Sequence, residues 1–196
     1  MTKAVDFYFD FGSPAAYLAY TQLPKLCAVA GAALNWKPML LGAVFQATGN
    51  HSPATVLAKG KYMFDDLQRF AVQYDVPFNR NPHFPINTLM LMRAAVGLQM
   101  RNDTRQMEFI QAVFEAMWVE SRNLNDLAET GAVLHEAGFD AAAMLALVSQ
   151  QDVKDRLKVL TQEAVDRGVF GAPTMFVGDA MFWGQDRLNF VKDALK

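Results

Sequence analysis

The sequence predicts an α/β protein: a β-α-β unit at the amino end and a β-β-α unit at the carboxyl end, separated by an all-helical block. Three observations predict it. Residues 4–10 and 174–183 are short aromatic-rich runs broken by glycine, the pattern of strands. Ser13-Pro14 is a strong helix start directly after the first run, because proline lacks an N–H that would have no partner at that position. Between residues 56 and 167 the apolar side chains recur at helical rather than strand spacing.

The elements follow in order. Ala4-Val-Asp-Phe-Tyr-Phe-Asp10 is the first strand, closed by Phe11-Gly12. A helix runs from Ser13-Pro14 past Pro24, which is expected to kink it, and ends at Gly31. Leu34 to Leu40 is a second strand, and a strand-helix-strand unit of this length makes the two strands parallel. Helices are expected over 56–74, 87–101, 103–120, 126–137, 140–150 and 152–167, with starts at Asn87, Asp103 and Asp140. Met90, Ala94 and Leu98 share one face, as do Phe109, Val113 and Met117, and these stripes are core. After Gly171-Ala172-Pro173 come a strand Thr174–Val177, a Gly178-Asp179 turn, a returning strand Ala180–Trp183 and a helix from about Asp186 to the end.

Composition excludes several function classes. The 196 residues suffice for one domain, or one domain with a large insertion, and 52% hydrophobic content with 15 Phe and 11 Met excludes a disordered chain. Eighteen basic residues against 20 acidic ones, with no run of like charge, leave no electrostatic footprint for nucleic acid. No apolar run approaches the ~18 residues of a membrane span. The start, Met-Thr-Lys-Ala-Val-Asp-Phe-Tyr-Phe-Asp, lacks the apolar stretch of a signal peptide, so a cytoplasmic location is expected. Cys27 is the single cysteine, which rules out an internal disulfide and a Cys-x-x-Cys pair, and it is expected to be a buried, inert thiol. His51, His83 and His135 lack metal-ligand spacing, and no metal is expected. Asp10-Phe11-Gly12 copies a kinase tripeptide without the other kinase motifs, and neither a P-loop nor a dinucleotide fingerprint is present.

A β-α-β and β-β-α frame split by helices is the layout of the thioredoxin superfamily. The inserted helices make it similar to the disulfide oxidoreductases of the bacterial periplasm and to kappa-class glutathione transferases. On that layout residues 1–41 plus 169–196 form the thioredoxin-like domain and residues 42–168 an inserted helical domain. Ser13 stands where disulfide oxidoreductases place the attacking cysteine. It has two readings. As a helix cap it contributes ~1 kcal/mol. As a functional group it sits at a helix N-terminus, where unpaired amides and the macrodipole favour an anion, and its hydroxyl can hydrogen-bond a thiolate brought by another molecule. With Ser13-Pro-Ala-Ala16 in place of a cysteine pair, disulfide exchange cannot occur there.

More specifically, the chain resembles the family of glutathione-dependent 2-hydroxychromene-2-carboxylate isomerases and, more broadly, kappa-class glutathione transferases, over essentially its whole length. The carriers are Asp6-Phe-Tyr-Phe-Asp-Phe-Gly-Ser-Pro14, Thr48-Gly-Asn50, Lys59-Gly-Lys-Tyr-Met63 with Asp66-Leu-Gln-Arg-Phe70, Val169-Phe-Gly-Ala-Pro-Thr174 and Phe182-Trp-Gly-Gln-Asp-Arg-Leu188. The resemblance implies that Ser13 holds the glutathione sulfur as a thiolate and that Asn50 contacts glutathione. It implies that Ala172, before a cis Pro173, pairs its main chain with the cysteinyl unit, and that Gln185 and Asp186 grip the γ-glutamyl end. Asp186 also has a plain reading as a helix cap.

The expected activity is isomerisation of a 2-hydroxychromene-2-carboxylate-like catabolite by transient thiolate addition. The organic substrate lies against Phe45 and Phe84, and Trp183 either borders the pocket or is structural. The family's lysine after the second strand is replaced here by Phe45 or Gln46, which leaves the physiological substrate open. The alternatives are a transferase that conjugates glutathione to small electrophiles and a non-catalytic glutathione- or peptide-binding module. A homodimer is expected from the resemblance alone.

Overall fold

The structure, a computed structural model, describes residues 3–196. Met1 and Thr2, which open both the segment read for a signal peptide and the amino-terminal part of the frame, lie outside the described residues. Four strands form one mixed sheet in the order β2-β1-β3-β4. Strand β1 (Ala4–Phe9) lies at its centre, parallel to β2 (Ala33–Pro38) and antiparallel to β3 (Thr174–Val177), which forms a hairpin with β4 (Ala180–Trp183).

Helix α1 (Pro14–Ala30) joins β1 to β2 and ends at Gly31, whose φ of 62° is the left-handed conformation that glycine adopts without steric cost. Then come α2 (Leu41–Thr48), a 3-10 turn at Pro53–Thr55, α3 (Leu57–Tyr74), α4 (Leu89–Met100), α5 (Gln106–Trp118), α6 (Leu127–Glu136), α7 (Ala141–Ser149) and α8 (Gln151–Asp166). A second 3-10 turn at Gln185–Arg187 leads from the sheet into α9 (Leu188–Ala194). Among the described residues, no single helix is long and apolar enough to cross a membrane.

The core is continuous from sheet to helices. Phe9 and Phe11 at the end of β1 meet Phe114 of α5 with ring centroids 5.9 and 4.9 Å apart, and Phe11 meets Phe109 at 5.9 Å. Trp118 is fully buried, and its indole N–H donates to the Phe11 carbonyl at 2.8 Å. A buried indole needs such a partner, and this one locks the helical block onto the strand end where the site begins. Cys27 lies in the same core, where burial pushes its thiol pKa up.

Helix α2 is an element that residue patterning missed, for a physical reason. Its N-cap is Leu40, which has no side chain able to cap. Remote groups supply the bonds instead: the Leu41 amide donates to Asp10 Oδ2 at 2.8 Å and the Leu40 amide to Thr161 Oγ1 at 3.0 Å. Asp140 caps α7 as expected, accepting from Ala142 and Ala143 at 2.8 and 3.1 Å. Asp103 instead ends a turn, accepting from Arg105 at 2.8 Å, and α5 begins three residues later than expected.

Candidate active site

The turn from β1 into α1 is built by Asp10. Its Oδ1 accepts from the Gly12 amide at 2.8 Å and Thr88 Oγ1 at 2.7 Å, and its backbone carbonyl accepts from the Ser13 amide at 3.0 Å. With the Leu41 bond, one buried carboxylate ties together the Gly12 turn before α1, the start of α2 and the loop before α4. Burial pushes the Asp10 carboxyl up, while the bonds from Leu41, Thr88 and Gly12 pull it down; burial prevails. Asp-x-Gly spacing is the sequence signal of such a turn.

Ser13 is only 5% exposed. Its Oγ accepts from the Ala16 amide at 3.1 Å, capping α1, and donates to the Ala172 carbonyl at 2.9 Å. The hydroxyl therefore spans from the helix start to the opposite turn, where the Ala172–Pro173 peptide is cis. Pro173 also accepts from the Gly184 amide at 3.0 Å, which joins that turn to the Gln185–Arg187 segment.

Trp183 is 49% exposed and packs on Phe170 with ring centroids 5.0 Å apart. Its indole nitrogen lies directly over Gly171: a Cβ there would come within 2.6 Å of Nε1, so only glycine lets the ring reach this position. Asn50 uses its amide internally, donating from Nδ2 to the Phe170 carbonyl at 2.8 Å and accepting from the His51 amide at 2.8 Å. It thus ties the loop after α2 to the segment just before Ala172.

Asp186 departs from its expected setting. It sits inside a 3-10 turn rather than at the start of an α-helix, its side chain is 37% exposed, and its carboxylate accepts from Arg187 at 2.6 Å. No side-chain cap bond is made at that turn, so the plain capping reading of Asp186 fails. Gln185 is buried, and its carbonyl accepts from the Tyr74 hydroxyl at 2.8 Å.

A cavity of about 980 Å³ lies between these segments. Ser13, Asn50, Ala172, Pro173, Trp183, Gln185 and Asp186 line it, together with Phe45 from α2 and Phe84 from the loop before α4. Phe84 is held by Phe64 and Trp118, with centroids 5.6 and 5.9 Å away. Lys59, Tyr62, Met63 and Asp66 of α3 form a further wall. They fall in the Lys59-Gly-Lys-Tyr-Met63 and Asp66-Leu-Gln-Arg-Phe70 motifs. Lys59 and Arg187 are cations of the lining, set against Asp66 and Asp186. Of the neighbours Phe45 and Gln46, Phe45 lines the cavity, whereas Gln46 is exposed and absent from the lining. Patterning also missed Tyr74, since nothing local marks a bond that crosses 111 residues.

This arrangement can hold an anion at the start of α1, an extended peptide against the Ala172 main chain and an apolar body against Phe45 and Phe84. The DSBA-like thioredoxin domain family matches residues 4–196. A 2-hydroxychromene-2-carboxylate isomerase of Sphingobium xenophagum is 34% identical over 197 residues, covering 100% of this chain and 99% of that protein. Glutathione S-transferase kappa 1 of Caenorhabditis elegans is 27% identical over 206 residues, covering 98% of this chain and 90% of that protein. A solved structure of 2-hydroxychromene-2-carboxylate isomerase superposes with a TM-score of 0.83 at 34% identity, covering 98% of this chain and 94% of that one. The chain therefore belongs to the DSBA-like thioredoxin-domain family, in the group formed by 2-hydroxychromene-2-carboxylate isomerases and kappa-class glutathione transferases.

Proposed function

We propose that the protein is a glutathione-dependent isomerase acting on a small conjugated carbonyl acid of the 2-hydroxychromene-2-carboxylate type. The observation that carries this reading is the Ser13 hydroxyl, buried at the N-terminus of α1 and shared between the Ala16 amide and the Ala172 carbonyl. The names of the relatives, isomerases at 34% and 36% identity and kappa-class glutathione transferases, support the same class.

The residues fit glutathione. A cavity of about 980 Å³ lies at the upper end of small-molecule pockets and has room for a tripeptide beside a small aromatic acid. Its cations and carboxylates answer glutathione's two carboxylates and one ammonium. When bound, glutathione supplies a thiolate that adds reversibly to the conjugated system and departs after the former double bond has rotated.

The chain's own groups have distinct tasks. The Ala172 carbonyl takes a peptide N–H in place of the Ser13 hydroxyl. Ser13 Oγ keeps accepting from Ala16 and turns its proton toward the sulfur. That bond and the dipole of α1 lower the thiol pKa, raising the thiolate fraction at neutral pH. Asp186 pairs with the γ-glutamyl ammonium, and Asn50 stiffens the loop beside Ala172. Phe45, Phe84 and Trp183 exclude water from the organic substrate. The reading also carries a homodimer and a cytoplasmic location, the former tested by light scattering on the purified chain.

Phe45 favours a second reading, a transferase that conjugates glutathione to uncharged electrophiles, because the lining has no cation at that place for a substrate carboxylate. Glutathione titration followed by tryptophan fluorescence, then an ultraviolet assay of the chromene acid, separates the readings. Isomerisation that requires glutathione yet leaves the free thiol count unchanged supports the isomerase. Thiol loss in step with turnover supports the transferase, and absence of binding leaves a non-catalytic module.

A further inference from the structure

The Gln185–Arg187 turn has little to hold it by itself. It is three residues long, and Gly184 before it adopts a φ of 104° with no side chain to cap the turn. Its position is set from outside at two points. The Gly184 amide donates to the Pro173 carbonyl at 3.0 Å, and the Tyr74 hydroxyl at the end of α3 donates to the Gln185 carbonyl at 2.8 Å. The first bond links the turn to the Ser13–Ala172 side of the cavity. The second links it to α3, whose first turns carry Lys59, Tyr62 and Met63 on the opposite wall.

Tyr74 is well suited to this task. Its ring lies beside Phe70 with centroids 5.7 Å apart. Burial and the neighbouring Asp186 charge push its hydroxyl pKa up to about 12, so it stays a proton donor throughout the neutral range. It does not line the main cavity. It lies in the wall behind it, facing a separate groove of about 450 Å³ between α1, α3 and α9.

From these two anchors we infer that Tyr74 is a positioning residue for γ-glutamyl recognition: its hydroxyl holds the Gln185 carbonyl so that Asp186 meets the ligand's ammonium. The assignment rests on the glutathione reading above. It concerns only the γ-glutamyl end, since the Ser13–Ala172 contacts do not pass through Tyr74. The affected ligands are those with a free amino acid head on the residue before the cysteine.

The test measures binding of glutathione and of the Cys-Gly dipeptide, which lacks the γ-glutamyl unit, to the wild-type protein and to Tyr74→Phe. Loss of the hydroxyl should weaken glutathione about fivefold, the range of one hydrogen bond. Cys-Gly binding should not change. KM for glutathione should rise while kcat at saturation holds, and Tyr74→Phe should add nothing to Asp186→Ala in the double variant. Phe70→Leu tests packing separately: it should lower the melting temperature and leave glutathione affinity intact. Unchanged affinity in Tyr74→Phe, equal loss of both ligands, or the same loss in Phe70→Leu would overturn the assignment. A wild-type protein that does not bind glutathione would instead remove the functional reading and this assignment with it.

Discussion

Replacing Ser13 by alanine and by aspartate separates its two bonds and their consequences. Alanine removes both: the cap on the Ala16 amide, ~1 kcal/mol, and the bond to the Ala172 carbonyl, about another 1 kcal/mol at so buried a position. For a chain of this size the sum lowers the melting temperature by roughly 4–8 °C. The chemical effect is larger. A hydroxyl donating to a thiolate contributes about 1.5–3 kcal/mol, which is about one to two pKa units on the bound thiol. The alanine variant should lose roughly that factor, about 10- to 100-fold, in thiolate fraction and in turnover at neutral pH. Aspartate keeps an acceptor for Ala16 and so most of the helix cap, although it cannot donate to the Ala172 carbonyl. It also sets a second negative charge beside the sulfur, which raises the thiol pKa above that of the alanine variant. Thiolate absorbance of bound glutathione against pH, with thermal unfolding alongside, reads both quantities. Two folded variants with wild-type turnover and an unshifted thiol would refute the assignment and leave Ser13 a helix cap.

Three further outcomes follow from the site and its supports. Asp186→Ala should weaken glutathione about tenfold by titration, a modest loss because the carboxylate is partly exposed and shared with Arg187. Asp10→Ala leaves the Gly12 and Leu41 amides and the Thr88 hydroxyl without their buried acceptor, and should cost about 3 kcal/mol in denaturant unfolding. Burial pulls the Asp6 carboxyl up, but bonds from Arg167 and Asn35 and the charge of Lys37 hold it below its ordinary value. Its stabilisation is therefore present at neutral pH and is lost as the pH falls through that lowered value, so Asp6→Asn should flatten the acid side of the stability profile. Thermal unfolding from neutral to about pH 3 checks this, and a variant whose acid loss matches the wild type would exclude the Asp6 contribution.

What patterning could read was what neighbouring residues encode. Ser13-Pro14 announced α1, Gly178-Asp179 announced the β3–β4 hairpin, and Asp140 announced α7, because each signal lies within three residues of the structure it makes. The unread parts are those in which the decisive partner is remote. Helix α2 starts without a local cap because Asp10 and Thr161 supply its bonds. Residues read as candidate site groups from five separate stretches were brought to one cavity, yet their individual bonds were not foreseeable. Asn50 turned to Phe170, Asp186 to Arg187, and the Ser13 proton to Ala172.

On the proposed glutathione reading, these remote bonds also let a thioredoxin-like frame handle a sulfur that it does not supply. A helix N-terminus stabilises a thiolate whether the sulfur is a side chain or a ligand, so α1 needs no change to serve either chemistry. The difference lies in what stands at the cap. A cysteine there would be nucleophile and leaving group for exchange. Serine offers one rotatable proton and an oxygen already engaged by Ala16, so it can stabilise sulfur without forming a bond to it. The protein's own thiol, at Cys27, is buried in the core with its pKa raised, the opposite of what a reactive thiolate requires. On the glutathione reading proposed above, the nucleophile arrives from outside and is held along its whole length. The Ala172 carbonyl, the Tyr74-braced turn carrying Asp186 and the α3 wall form three separated anchor points of the kind an extended peptide needs, which a disulfide-exchange site acting on its own cysteines would not need.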